Sequence, residues 1–224
     1  MRPGRPERNS LDRPITTAGQ LLVEGRVPEM FFREMVEAWG ISGAVEVRTF
    51  GDISKPNLQT YLELLVQKAV FKATVKRLGI IRDAERASAA AAFQSVQASL
   101  RGAGLPEPGQ LGAFAGDPVA VGVFVLPNCR DSGMLEDLCM TAITEAERNL
   151  AAPLLPCVDE FFVCLNGRNR QAANPAKARF AGYALACDVI DPQLGRAAQK
   201  GVIPWEANAF TLLKTFLQNV AGQQ

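Results

Sequence analysis

The sequence contains no histidine. Ser-His-Asp and Cys-His nucleophile systems are therefore excluded. A catalytic zinc site, which usually carries at least one imidazole, is disfavoured. Proton transfer must fall to Asp, Glu, Lys, Tyr, Cys or water. Charge of one sign is also missing, since 24 Lys and Arg face 23 Asp and Glu for a net charge of +1. Such a chain has no global basic field for gathering nucleic acid, and a nucleic-acid role requires a local patch. No apolar run reaches the roughly 18 residues that a membrane-spanning helix needs. Walker A, G-x-G-x-x-G and C-x-x-C motifs are all absent, which removes the usual signals for phosphate-loop and dinucleotide sites and for redox cysteine pairs. The five cysteines form no paired spacing, and we expect them to be buried free thiols of a cytoplasmic protein.

What is present is a pattern of alternating strands and helices. The opening residues, rich in Pro and Arg through Arg13, read as a flexible tail over residues 1–17 rather than a secretory signal. Gln20 to Val23 reads as a buried strand, followed by a helix in which Met30, Phe31, Met35, Val36 and Trp39 recur at helical spacing. Ala44 to Phe50 is a second strand. Pro56 and Asn57 open a second helix. Val75 to Ile81 is a third strand, followed by an Ala-rich helix from Glu85 to Arg101. Val119 to Leu126 is a nearly continuous apolar strand of the type a buried parallel sheet uses. Met134 then opens a helix to about Leu150. Three further helices are expected near 156–166, 175–188 and 206–221. This order predicts an α/β fold with a central, mostly parallel sheet of four or more strands over residues 18–150. Residues 151–224 are expected to be a helical extension packed on it.

Four acidic residues occupy junctions in this scheme. Glu24 and Asp83 follow apolar strands, Glu85 lies two beyond Asp83, and Glu136 opens the helix after the fourth strand. Ligand sites of open α/β sheets form at the carboxyl ends of strands. Carboxylates gathered there make a hard oxygen site suited to Mg²⁺ or Mn²⁺. The ordinary account of any one of them is an acid in a helix first turn, where the macrodipole is positive. Arg82 and Arg86 flank the acidic pair and are expected either to pair with Asp83 or Glu85 or to contact phosphate. Asn128 lies on the loop after the fourth strand, a ligand-facing place. The basic turn Asn166-Gly167-Arg168-Asn169-Arg170 reads as a solvated loop or a nucleic-acid contact.

The segments Leu22-Val23-Glu24-Gly25 and Ile80-Ile81-Arg82-Asp83-Ala84-Glu85 resemble the two signatures of the TOPRIM domain. That domain is found in topoisomerases, DnaG-type primases and overcoming-lysogenization-defect (OLD) nucleases. Val125-Leu126-Pro127-Asn128, Gly133 to Leu138 and the segment from Trp205 to Phe216 resemble a prokaryotic group of TOPRIM-like proteins. The resemblance implies a TOPRIM-like sheet and Mg²⁺- or Mn²⁺-dependent phosphodiester or nucleotide phosphate chemistry, most simply that of a nuclease. By it, Glu24 is a general acid/base or metal ligand and Gly25 is the turn glycine beside it. Asp83 and Glu85 match an Asp-x-Asp ligand pair, with Glu in place of the second Asp. Glu136 matches a later acidic position, supported by Asp137. Where relatives carry another acid shortly after the first-strand Glu, this chain has Val27 and Pro28.

A second class of function stays open. The chain could be a catalytically weak module that binds nucleic acid or a nucleotide, or a protein partner or its own copy, in a defence-type system. Convergence of the acids favours the enzyme. Acids tied up by Arg82 and Arg86 favour the module.

Overall fold

The computed structural model describes residues 10–51 and 57–223. Its elements run β1 (Gly19–Glu24), α1 (Arg26–Ala38), β2 (Val45–Phe50), α2 (Leu58–Val66), α3 (Ala69–Thr74), β3 (Arg77–Asp83), α4 (Ala89–Gly102), β4 (Phe114–Ala115) and β5 (Ala120–Leu126). Helices follow: α5 (Leu135–Glu147), α6 (Leu155–Asn166), α7 (Pro175–Ala186), α8 (Leu194–Gln199) and α9 (Thr211–Ala221). The fold is α/β, with a five-stranded sheet in the order β2-β1-β3-β5-β4. The pairings β1–β2, β1–β3 and β3–β5 are parallel, and only the short β4 runs antiparallel to its neighbour.

The strands are apolar on both faces because helices cover both. Leu22, Ile80, Val121, Val123 and Val125 point into a core shared with α2, α3 and α4. Leu21, Val23, Ile81 and Phe124 point the other way, into a core built with α1, α5, α7, α8 and α9. The C-terminal helices thus bury their apolar faces in the same core as α1 and α5 rather than in one of their own. Two strand glycines let partners come close. A Cβ on Gly79 would stand 2.6 Å from Val220 of α9, and one on Gly122 would stand 2.6 Å from the Phe114 ring. Among the described residues no helix is long and apolar enough to cross a membrane.

Several expectations are corrected. Residues 10–17 are not a flexible tail; residues 1–9 lie outside the described residues, as does Pro56. Ser10, Leu11 and Ile15 are buried, because this segment covers the outer edge of β2. Its anchor is Arg48, 2% exposed. The Arg48 guanidinium donates to the Gln20 side chain at 2.6 Å, to the carbonyls of Ser10 at 2.7 Å and Arg13 at 3.1 Å, and to that of Pro14. It also pairs with Glu46 at 2.9 Å. Ser10 and Arg13 in turn donate to the carbonyls of Thr49 and Val47. An unpaired strand edge invites association, and these side chains occupy it.

The Ala-rich helix begins at Ala89, not Glu85, because Ser88 caps it by accepting from the Ala91 N–H at 3.2 Å. The last expected helix divides into a 3-10 turn at Asn208–Phe210 and α9. The helices α3 and α8 and strand β4 were too short to carry a period. Cys157 and Cys164 are exposed rather than buried, while Cys139 is buried and Cys129 and Cys187 are half-buried.

The Arg48 network generates a stability prediction. Arg48→Ala takes the guanidinium donor from three backbone carbonyls and the ion-pair partner from Glu46, which keeps its hydrogen bonds from Thr16 and Gln20. It should cost about 3 kcal/mol, read as a fall in the urea midpoint at unchanged slope.

Candidate functional site

Parallel pairing sends the ends of β1, β3 and β5 to one edge. There Glu24, Asp83, Glu85 and Glu136 line a single cavity of about 430 Å³. Val27, Pro28 and Leu135 form part of its wall. Helix α7 adds Lys177, Phe180 and Ala181, and the approach to α8 adds Pro192, Gln193 and Leu194.

Glu24 is the last residue of β1. Gly25 follows at φ 86°, a conformation that suits glycine, and its N–H donates to the Phe50 carbonyl at 2.9 Å. This turn releases the chain into α1 immediately after the carboxylate. Gly51, at φ 79°, leaves room for Glu24: a Cβ there would come within 3.3 Å of the Glu24 side chain. The Glu24 carboxylate pairs with Arg82 at 3.2 Å, and the Arg82 guanidinium lies 5.9 Å from the Phe50 ring centre. Arg82 therefore binds Glu24 rather than Asp83 or Glu85, and Arg86 makes no ion pair among the described residues.

Asp83 ends β3, and its Oδ1 accepts from the Leu135 N–H at 3.0 Å. Strand β3 is thus tied to the first turn of α5. Burial, then the neighbouring Glu136 carboxylate, pushes the Asp83 carboxyl up to about 7. The Leu135 N–H and Lys177 oppose this rise, and Glu85 adds to it. Burial also raises the Glu136 carboxyl, with Asp137 adding repulsion and Lys177 lowering it.

Glu85 has φ 53°, in the left-handed region. Two hydrogen bonds hold it there: its N–H donates to the Gly133 carbonyl at 2.7 Å, and the Gly133 N–H donates back at 2.8 Å. This bridge joins the loop after β3 to the loop after β5. A non-glycine residue held at positive φ stores on the order of 1–3 kcal/mol, and such positions cluster at functional sites.

Two expected supporting residues have structural work instead. Asp137 accepts from the Met134 N–H at 2.9 Å and completes a capping box at the start of α5. Asn128 accepts from the N–H groups of Arg130 and Asp131 and donates to the Asp131 carboxylate at 2.7 Å, so it shapes its own loop. Neither lines the cavity. Lys177 was missed, since one lysine in an Ala-rich helix carries no sequence signal. Among the described residues, no three acidic or cysteine side chains are already gathered around one metal position. The four acids thus share one cavity without forming a ready ligand set, and Glu24 is paired with Arg82.

Two predictions follow from this geometry. Asp83 binds its proton more tightly folded than unfolded, so its contribution to stability falls as pH rises from its ordinary range through about 7. Asp83→Asn keeps the Oδ1 acceptor for Leu135 and removes that decline. Its stability relative to the parent should improve by on the order of 2 kcal/mol between about pH 5 and about pH 8, measured by denaturant titration at each pH. Separately, Glu85→Gly should stay within about 1 kcal/mol of the parent in thermal unfolding, whereas Glu85→Val should lose about 2 kcal/mol, because only glycine takes the positive φ without strain.

A family profile described as "Protein of unknown function (DUF3226)" matches residues 18–222. No curated protein and no solved structure matches the chain. The matched span takes in the whole sheet, the acidic cavity and the C-terminal helices, and the chain belongs to the DUF3226 family.

Proposed function

We propose that the chain is a TOPRIM-like enzyme that performs Mg²⁺- or Mn²⁺-dependent phosphodiester or nucleotide phosphate chemistry, most simply as a nuclease. The observation that carries this reading is the convergence of Glu24, Asp83, Glu85 and Glu136 on one cavity. Burial raises both the Asp83 and the Glu136 carboxyls, and repulsion from Glu136 and Glu85 adds to the rise at Asp83. Cation binding relieves that repulsion.

A bound divalent ion would neutralise charge on a phosphoryl group. Asp83, Glu85 and Glu136 would hold it, with Glu24 joining once it leaves Arg82. The Asp83 carboxyl, raised to about 7 by burial and by Glu136, would have to be deprotonated to hold the ion. Lys177 lines the same cavity and would supply a positive contact for a phosphate oxygen. Val27 and Pro28 give the cavity an apolar side where relatives place an acid, which reduces the donor set.

One observation favours the second reading, a catalytically weak binding module. The Glu24–Arg82 pair satisfies both charges without metal, and misplacement by about 1 Å can cost on the order of 10²-fold in rate.

The test separates site from turnover. Mg²⁺ or Mn²⁺ at about 100 times its dissociation constant should stabilise the protein by about 2.7 kcal/mol. EDTA should reverse the shift, and Asp83→Asn should abolish it. The parent should hydrolyse DNA, RNA or nucleoside triphosphates with metal present, and Glu24→Gln and Asp83→Asn should lose that activity while melting as folded proteins. A metal shift without turnover on any substrate selects the binding module. No shift in the parent removes the metal site.

A further inference from the structure

Helix α6 buries one side only. Leu155 and Val158 are buried. Phe162 lies 3.2 Å from where a Cβ on Gly182 of α7 would stand, and Asp159 pairs with Arg179 of α7 at 2.6 Å. The other side faces solvent. Cys157, Glu160, Phe161, Cys164 and Arg168 are all exposed. Steps of three and four residues join them, so they share an arc of about 100° at 3.6 residues per turn. The helical path reaches Arg168, because the Gly167 N–H donates to the Val163 carbonyl at 3.1 Å and the Arg168 N–H to the Leu165 carbonyl at 3.0 Å. Leu154, three residues before Cys157, extends the stripe. Phe161 at its centre is 56% exposed. An aromatic ring held in water on a fixed helix gains free energy by being covered.

The charges on this stripe indicate what covers it. Neither Glu160 nor Arg168 enters an ion pair among the described residues. Cys164 stands midway between them in the chain. A two-fold axis through Cys164, perpendicular to α6, lays an antiparallel copy of the helix on the first. Each residue then meets the one equally far on the other side of Cys164. Glu160 meets the copy's Arg168, and the contact occurs twice. Phe161 meets the copy's Gly167, which has no side chain and leaves room for the ring. Other alignments oppose like charges. A parallel copy sets Glu160 on Glu160 and Arg168 on Arg168. An antiparallel copy centred between Glu160 and Phe161 pairs Cys157 with Cys164 but brings the two Glu160 carboxylates together. Charge complementarity thus selects one register of a self-complementary face.

We propose that the exposed face of α6 is the interface of a homodimer, in which two copies of the chain pair antiparallel about a two-fold axis at Cys164. Phe161 is its apolar anchor, and the two Glu160–Arg168 pairs set its register. Each copy contributes one helix face about 20 Å long. That is less than the roughly 1,200 Å² or more that stable complexes bury in total, so the dimer is weak and depends on concentration. No residue of α6 lines the acidic cavity, and the interface stands whatever that cavity binds.

The experiment is sedimentation equilibrium of the full chain in reducing buffer over a dilution series. The parent should pass from monomer to dimer as concentration rises. Glu160→Arg and Arg168→Glu should each weaken dimerisation by about tenfold or more, since each opposes like charges twice. The double exchange Glu160→Arg/Arg168→Glu should restore it, because the pair is reversed rather than removed. Phe161→Ser should weaken it by about tenfold or more as well. All four variants should keep the parent's melting temperature at low concentration, since these side chains are exposed. Diamide, which takes two electrons and two protons from a pair of thiols, should link parent copies through Cys164. Cys164→Ser should lose the link and Cys157→Ser should keep it. The seven residues from Cys164 to Cys157 span about 10 Å of helix, so the two Cys157 thiols stand about 20 Å apart, beyond disulfide reach. A monomer at every concentration would overturn the proposal and leave the face to a different protein. A dimer indifferent to both single exchanges would also overturn it, as would a double exchange no better than the single ones or a link that requires Cys157.

Discussion

Everything at the candidate site depends on parallel strand pairing. In a parallel sheet each strand must return by a crossover, so all strands end at the same edge. Here Gly19 pairs with both Val45 and Arg77, and Arg77 pairs with Ala120. That register sets Glu24 beside Phe50 and Asp83 beside Leu126. A shift by one residue would move Ile81 and Asp83 together to the opposite face of the sheet, because side chains two positions apart share a face. Register is therefore enforced by burial of Leu21, Leu22, Ile80 and Ile81 on both faces, and the acids inherit their positions from the hydrophobic residues that precede them.

At the cavity, local order is maintained against electrostatic cost. Asp83 gains the Leu135 N–H at the start of α5 but is buried beside Glu136. Glu85 is held at positive φ by a reciprocal bridge to Gly133. Such conflicts persist when surrounding structure over-determines them. The same loops carry the capping box of Asp137 and the Asn128 turn, which hold the walls in place without facing the cavity. Positive charge is supplied sparingly, by Arg82 on Glu24 and by Lys177 from α7. Acids from two strand ends, a loop and a helix start, faced by a single lysine of α7, are the property from which the proposed phosphate chemistry follows.

At the outer margin of the sheet, β2 shows how an edge strand is closed without another strand. Arg48 gathers the carbonyls of residues 10, 13 and 14, while Ser10 and Tyr61 share a hydrogen bond at 2.8 Å. In sequence, Arg48 reads as the outward member of an alternating strand. It is buried because the preceding segment folds over it, and a charged strand residue gives no hint of that cover.

The sequence by itself determined the alternating α/β order, the buried character of β1, β3 and β5, and the placement of Glu24, Asp83 and Glu136 at element junctions. These are local properties: apolar runs, helical periods and turn residues act within a few positions of the chain. It also held the Ser88 cap, which was overlooked beside the Ala run. The tertiary structure decided which junctions meet. It brought α7 to the sheet edge so that Lys177 lines the same cavity as Asp83 and Glu85, paired Arg82 with Glu24 in place of its own neighbours, and put Asn174 at the start of α7 next to Met134. It decided too that Asp137 and Asn128 serve backbone groups. Side-chain partnerships across distant elements depend on how helices pack over the sheet. That packing is set by the summed fit of two large cores, a quantity that no short stretch of sequence contains.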